Sequence, residues 1–83
     1  MTYRSREEIF ASILSTAGSG TATTRSKIMF GSYLTYAQVV EYTKMLIQRG
    51  LLEYDAINRT FRTTPSGFTF TQLHYEISQM IKI

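Results

Sequence analysis

Cations and hydrogen-bonding side chains carry what chemistry this sequence offers. Arg25 and Lys27 lie two residues apart, and Lys44, Arg59 and Arg62 follow further on. Thr35, Tyr36 and Gln38 cluster ahead of Lys44. Lysine and arginine neutralise phosphate oxygens, a tyrosine hydroxyl reaches a phosphate, and a glutamine amide can donate and accept at an adenine edge. Catalytic parts are missing by comparison. There is no cysteine, the only histidine is His74, and six acidic residues are scattered without an obvious pair. No glycine-rich phosphate loop or Gly-x-Ser-x-Gly is present. No enzyme, metal site or cofactor is expected.

Each candidate also has a structural reading. Gln38 can complete a capping box with Thr35. Arg25 and Lys27 can form a solvated face. Arg59 and Arg62 can pair with Glu53 and Asp55 across a hairpin. Tyr42 reads as packed rather than functional, and His74 as an exposed or interfacial helix residue. Glu41 would repel phosphate.

The elements that must position these groups follow from periodicity and punctuation. Ser5 and Glu8 form a capping box, and Ile9, Phe10, Ile13, Leu14 and Ala17 recur at helical spacing, so a first helix is expected over 5–17. Gly18-Ser19-Gly20 ends it. Thr23 or Thr24 caps a short helix from Arg25 to Gly31, which buries Ile28 and Met29 or Phe30. Residues 31–34 make a tight turn. A third helix starts at Thr35, with Val39, Val40, Thr43, Leu46 and Ile47 facing the core. Its opposite side shows Tyr36, Ala37, Gln38, Glu41, Lys44, Met45 and Gln48. Gly50 stands where a left-handed cap needs glycine. Runs 51–55 and 59–63 alternate around Ala56-Ile57-Asn58 and read as a β-hairpin. Thr64-Pro65 opens a last helix. Phe70, Leu73, Ile77 and Met80 form a heptad-like seam along it, which packs on the first helix, pairs with a second copy, or does both.

The 83 residues fit one domain, 1–83, with a thin core that pairing would extend. A hydrophobic fraction of 43% argues against disorder of the whole chain. No apolar run approaches the roughly 18 residues of a membrane span, and no signal-peptide core follows Met1. A soluble intracellular protein is the expectation. Net charge is +3, all of it contributed by residues 1–50, a mild excess compatible with nucleic acid.

The order helix, helix, helix, strand, strand, helix predicts an α+β, mostly α, winged helix-turn-helix. Residues 25–30 (Arg-Ser-Lys-Ile-Met-Phe), Leu34-Thr35-Tyr36, Gln38-Val39, Tyr42, Leu46 and Gly50-Leu51-Leu52 carry a further resemblance. They resemble the archaeal winged-helix family of predicted transcriptional regulators of the ArnR-like kind. The exit Phe61-Arg62-Thr63-Thr64-Pro65-Ser66-Gly67 is similar to the Thr-x-x-Gly exit of winged helices. The resemblance covers residues 24–67 well, and the outer helices by pattern only. It implies a double-stranded DNA partner, with the third helix in the major groove and Arg59 or Arg62 on the wing. A homodimer through Phe70, Leu73, Ile77 and Met80 is expected because pairing extends a thin core, and the expected location is cytoplasmic and nucleoid-associated. Some relatives pair through a long antiparallel C-terminal coiled coil, for which the last helix here is too short. The alternative is a winged helix used for protein contact, with the apolar terminal helix and the tyrosines Tyr3, Tyr33, Tyr36 and Tyr75 as its interface.

Overall fold

The computed structural model describes residues 4–20 and 23–81. The chain runs α1 (Arg6–Ala17), α2 (Arg25–Ser32), α3 (Tyr36–Gln48), β1 (Leu52–Asp55), β2 (Thr60–Thr63) and α4 (Pro65–Ile81). The caps explain the helix starts. Ser5 Oγ accepts from the Glu8 amide, and Glu8 Oε1 accepts from the Ser5 amide, both at 3.1 Å. Ser5 is thus the cap of α1 rather than its first residue. Thr24, not Thr23, caps α2. Thr35 and Gln38 exchange the same reciprocal pair of bonds at the start of α3.

The Glu8 carboxyl is held below the ordinary glutamate range, chiefly by the Ser5 amide and then by the Ser5 hydroxyl. Its folded-state value therefore lies under its unfolded one. The stability it contributes is full above the usual glutamate range and is lost as pH falls through the depressed value. Glu8→Gln keeps the box but has no such titration. Acid unfolding followed by circular dichroism should show a shallower acid limb for this variant, and an unchanged limb would count against the box.

The ends of α2 and α3 differ. Beyond α3, Gly50 sits at φ +72°. Its amide bonds to Ile47 O and the Leu51 amide to Leu46 O, each at 3.0 Å, a Schellman closure. At α2 the left-handed residue is Tyr33, at φ 55°, and Gly31 stays inside the helix. A tyrosine there costs roughly 1–2 kcal/mol. The closure is helped by Arg4, whose Nη2 donates to Ser32 O at 2.7 Å and Tyr33 O at 3.3 Å. It tucks Leu34 into the core, 8% exposed.

The core surrounds α1. Ile9, Phe10, Ile13, Leu14 and Ala17 pack with Ile28, Leu34, Val39, Leu46, Leu52 and Phe61. The Phe10 ring meets Tyr42 edge-on at 5.9 Å and Phe70 at 6.4 Å. The strands pair antiparallel, Leu52 with Thr63 through Asp55 with Thr60. Phe61 donates its amide to Thr23 O at 2.7 Å, which adds a one-bridge third edge to the hairpin. Buried Thr63 Oγ1 bonds Leu14 O at 2.7 Å and ties the sheet to α1.

Several core expectations need correction. Val40 and Ile47 are half-exposed, not buried. They lie about 100° and 80° round the helix from Val39, at the margin of an inward stripe held by Val39, Thr43 and Leu46. Met45, expected outward, packs partly against the core, and Phe30 is exposed while Met29 is half-buried. Along α4 only Phe70 of the expected seam packs on the core; Leu73, Ile77 and Met80 are exposed. The residues of α4 that turn inward are Gly67, Phe70, Thr71 and His74.

Ser32 is fully buried and its Oγ has no hydrogen-bond partner among the described residues. Ser32→Ala removes an unsatisfied hydroxyl at little cost in volume. The expected result is a gain of about 1 kcal/mol in urea unfolding; a loss of that size would mean the hydroxyl is bonded.

Candidate nucleic-acid interface

The helix pair α2–α3 and the hairpin build one side of the molecule. On α3 the residues pointing farthest from Val39 are Ala37, Glu41, Lys44 and Gln48, all exposed. They follow one another at helical spacing, so they form a single outward stripe. Glu41 and Lys44 oppose each other in charge there. Tyr36 is 61% exposed on the flank nearer Val40 and Ile47.

Gln38 makes the capping box, with its Oε1 accepting from the Thr35 amide at 2.9 Å and its amide bonded to Thr35 Oγ1. Both Thr35 and Gln38 therefore serve the start of α3. The Gln38 Nε2 remains as an outward donor.

The hairpin has two faces. Leu52, Tyr54, Phe61 and Thr63 turn inward, while Glu53, Asp55, Thr60 and Arg62 turn outward, in the alternation that a pleat requires. Its tip is fixed by Asp55. Oδ1 accepts from the amides of Ile57 and Asn58 at 3.0 and 3.2 Å, and Oδ2 from Asn58 Nδ2 at 2.6 Å. The Asn58 bonds hold the Asp55 carboxyl below its usual range. The tip then presents Ile57, 92% exposed, and Arg59, whose φ of 56° lets the chain re-enter β2.

The expected cations are not gathered in one patch. Arg25 and Lys44 line one groove between α3 and the inward face of the hairpin. Arg62 faces outward, directly opposite Glu53 in the strand register. Arg59 stands at the tip and Lys27 is exposed on α2. Arg25 departs most from a solvated face. Its Cζ lies 5.4 Å over the Phe61 ring and 5.9 Å from the Tyr54 ring centre. Sequence reasoning missed this stack, because nothing local links Arg25 to a hairpin some thirty residues away. Arg4, the clamp on the end of α2, was missed for the same reason.

The sequence matches the winged helix-turn-helix family over residues 3–82, nearly its whole length. The chain belongs to that family. Two helices joined by a turn, then a two-stranded wing and a closing helix, is the arrangement seen. Among solved structures, the winged helix here is similar to Sso10a-2, described as a DNA-binding protein from Sulfolobus solfataricus. The two share 18% identity with a TM-score of 0.83, over 95% of this chain and 83% of the other. At that identity the likeness establishes the fold. No curated protein matches the sequence. Among the described residues no helix is long and apolar enough to cross a membrane, and no three metal-ligating side chains cluster.

Proposed function

We propose that this winged helix binds double-stranded DNA, as a transcriptional regulator of the archaeal ArnR-like kind. In this reading the whole chain, 1–83, works as one DNA-binding unit in the cytoplasm, associated with the nucleoid. The observation that carries the proposal is the uncovered outer stripe of α3 beside an exposed, basic wing tip. The start of α3 reads the major groove with Gln38 Nε2, and the Tyr36 hydroxyl reaches a phosphate. Lys44, Lys27 and Arg25 seat the phosphates, and Arg59 enters the adjacent minor groove. The described relative's DNA binding supports the reading by analogy of fold.

Glu41 in the middle of α3 weakens that helix as an anion seat, so affinity rests on cations from several elements. With Arg25, Lys27, Lys44 and Arg59 all engaged, the slope of log affinity against log salt is expected near −3.6. A fourfold rise in salt then weakens binding roughly 10²–10³-fold. Fluorescence anisotropy on a mixed-sequence duplex tests this. Absence of salt-sensitive binding at micromolar protein rejects it.

A homodimer is part of the proposal. Leu73, Ile77 and Met80 are exposed along α4, with Ile81 beside them at 74%. Such a strip is covered by its own copy in a two-fold pairing. Sedimentation should give a dimer, and Ile77→Asp a folded monomer. A wild-type monomer at high concentration contradicts the pairing.

A second reading, a protein-contact module, is favoured by one observation. Phe30 and Tyr33 are 73% and 88% exposed at the end of α2. Under that reading duplex binding is weak and does not change on charge reversal at Arg25 and Lys27.

A further inference from the structure

A groove of about 290 Å³ lies between α3 and the inward face of the wing. Val40, Ile47, Tyr54 and Phe61 give it an apolar wall, and Arg25 and Lys44 supply its charge. Three of the wall residues remain accessible: Val40 at 40%, and Ile47 and Tyr54 at 39% each. One such residue on a surface is ordinary, whereas three around one concavity mark a place that excludes water when filled. No acidic residue lines the groove. Glu41 lies on the far side of the α3 stripe, about 100° round the helix from Val40, and Glu53 and Asp55 turn to the other face of the wing.

Arg25 supplies the polar end. Its Nε is buried without a hydrogen-bond partner among the described residues. The guanidinium is backed by the Phe61 and Tyr54 rings at 5.4 and 5.9 Å. A guanidinium braced in this way has its orientation fixed before any ligand arrives, and its planar fork matches a carboxylate. Phosphate fits the same fork, but it is compact and strongly hydrated and gains nothing from an apolar wall. A second copy of the chain has the convex strip of α4 for a partner surface, and that strip is not concave. The volume is at the lower limit for ligand pockets, which restricts the occupant to a small molecule.

The structure assigns this groove to a small monocarboxylate with an aromatic or branched aliphatic body. Its carboxylate sits on Arg25 within reach of the Lys44 field. Its body lies against Val40, Ile47 and Tyr54. One consequence rests on the proposed DNA binding: Arg25 and Lys44 are also phosphate seats, so the ligand and the duplex compete, and the ligand acts as a releasing effector.

The test uses the full chain, isotope-labelled, with phenylacetate as probe and its neutral counterpart phenylacetamide as control. Phenylacetate is expected to move the amide resonances of Val40, Ile47, Tyr54 and Phe61, and the methyl resonances of Val40 and Ile47, saturably. Phenylacetamide is expected to bind about tenfold more weakly or worse, for want of the charge-assisted bond. Arg25→Gln should lose a similar factor. Ile47→Glu, at a half-exposed site, should abolish the response with the fold intact by circular dichroism. Equal binding of acid and amide overturns the assignment, as do shifts centred elsewhere or none at all. So do groove resonances that move with protein concentration alone, which would mean that a second copy fills it. These measurements contain no DNA and stand apart from the proposed function. In a separate anisotropy experiment at equal ionic strength, phenylacetate should lower duplex affinity more than chloride does. Groove binding without any duplex affinity overturns the DNA reading and the competition. Duplex affinity indifferent to phenylacetate overturns the competition alone.

Discussion

Gly67→Ala is expected to destabilise the protein by about 3 kcal/mol, the upper end of ordinary overpacking. Helix propensity argues the other way, since alanine is favoured over glycine by about 1 kcal/mol inside a helix. Sterics decide. Gly67 is the one buried residue of α4. A Cβ there would collide with the Leu51 carbonyl oxygen and lie 2.6 Å from Thr63 Cγ2. Neither obstacle is free to move. Leu51 O accepts the Thr64 amide at 3.1 Å, and the Thr63 hydroxyl is bonded to Leu14 O. The added methyl therefore pushes α4 off the junction where the third helix, the wing and the first helix meet. Gly31 is the useful contrast. A Cβ at Gly31 would meet only the Thr16 side chain, at 3.0 Å and beyond, so Gly31→Ala should cost far less. Urea unfolding of both variants checks the pair. A Gly67→Ala protein as stable as the parent would refute the close approach.

Duplex affinity should fall by about tenfold for each phosphate-seating cation removed near 0.1 M salt, from counterion release alone. Lys44→Glu and Arg59→Glu are expected to exceed that, because each adds a charge that phosphate repels. Lys44→Glu has the larger effect, since Glu41 already stands one turn away on the same stripe. Together the two changes should weaken binding by roughly 10²–10³-fold, and each should reduce the salt slope by about one. Arg62→Glu should matter less. Arg62 faces Glu53 across the strands, on the face of the wing turned away from α3. Anisotropy titrations at two salt concentrations give both quantities. If Arg62→Glu were the most damaging of the three, the wing would be docked by its opposite face.

The sequence was most legible where one residue acts on its near neighbours. Ser5 with Glu8, Thr35 with Gln38, Thr64 ahead of Pro65, and Gly50 past the third helix all act within a few residues. Boundaries drawn from them stand within a residue or so. Legibility failed where position depended on a partner distant in sequence. Val40 and Ile47 have the right residue types for a core, but the inward arc of α3 is narrower than its apolar arc. Tyr33 takes the left-handed conformation that a glycine would normally supply, and the Arg4 clamp on Ser32 O is not encoded nearby. Leu73, Ile77 and Met80 repeat like a buried seam, yet α4 turns Gly67, Phe70, Thr71 and His74 inward and leaves those three exposed. The candidate cations were legible as a set of types. Their separation into a groove pair, a wing tip and an outward Arg62 was not, because the pleat and the helix angle decide it.

The most direct measurement is a resonance map of the isotope-labelled protein titrated with a short mixed-sequence duplex. DNA binding through α3 and the wing predicts the largest changes at Tyr36, Gln38, Lys44 and Arg59, with small ones at Glu53 and along the exposed half of α4. Changes confined to α4, or to Phe30 and Tyr33, with α3 and the wing tip silent, would contradict it.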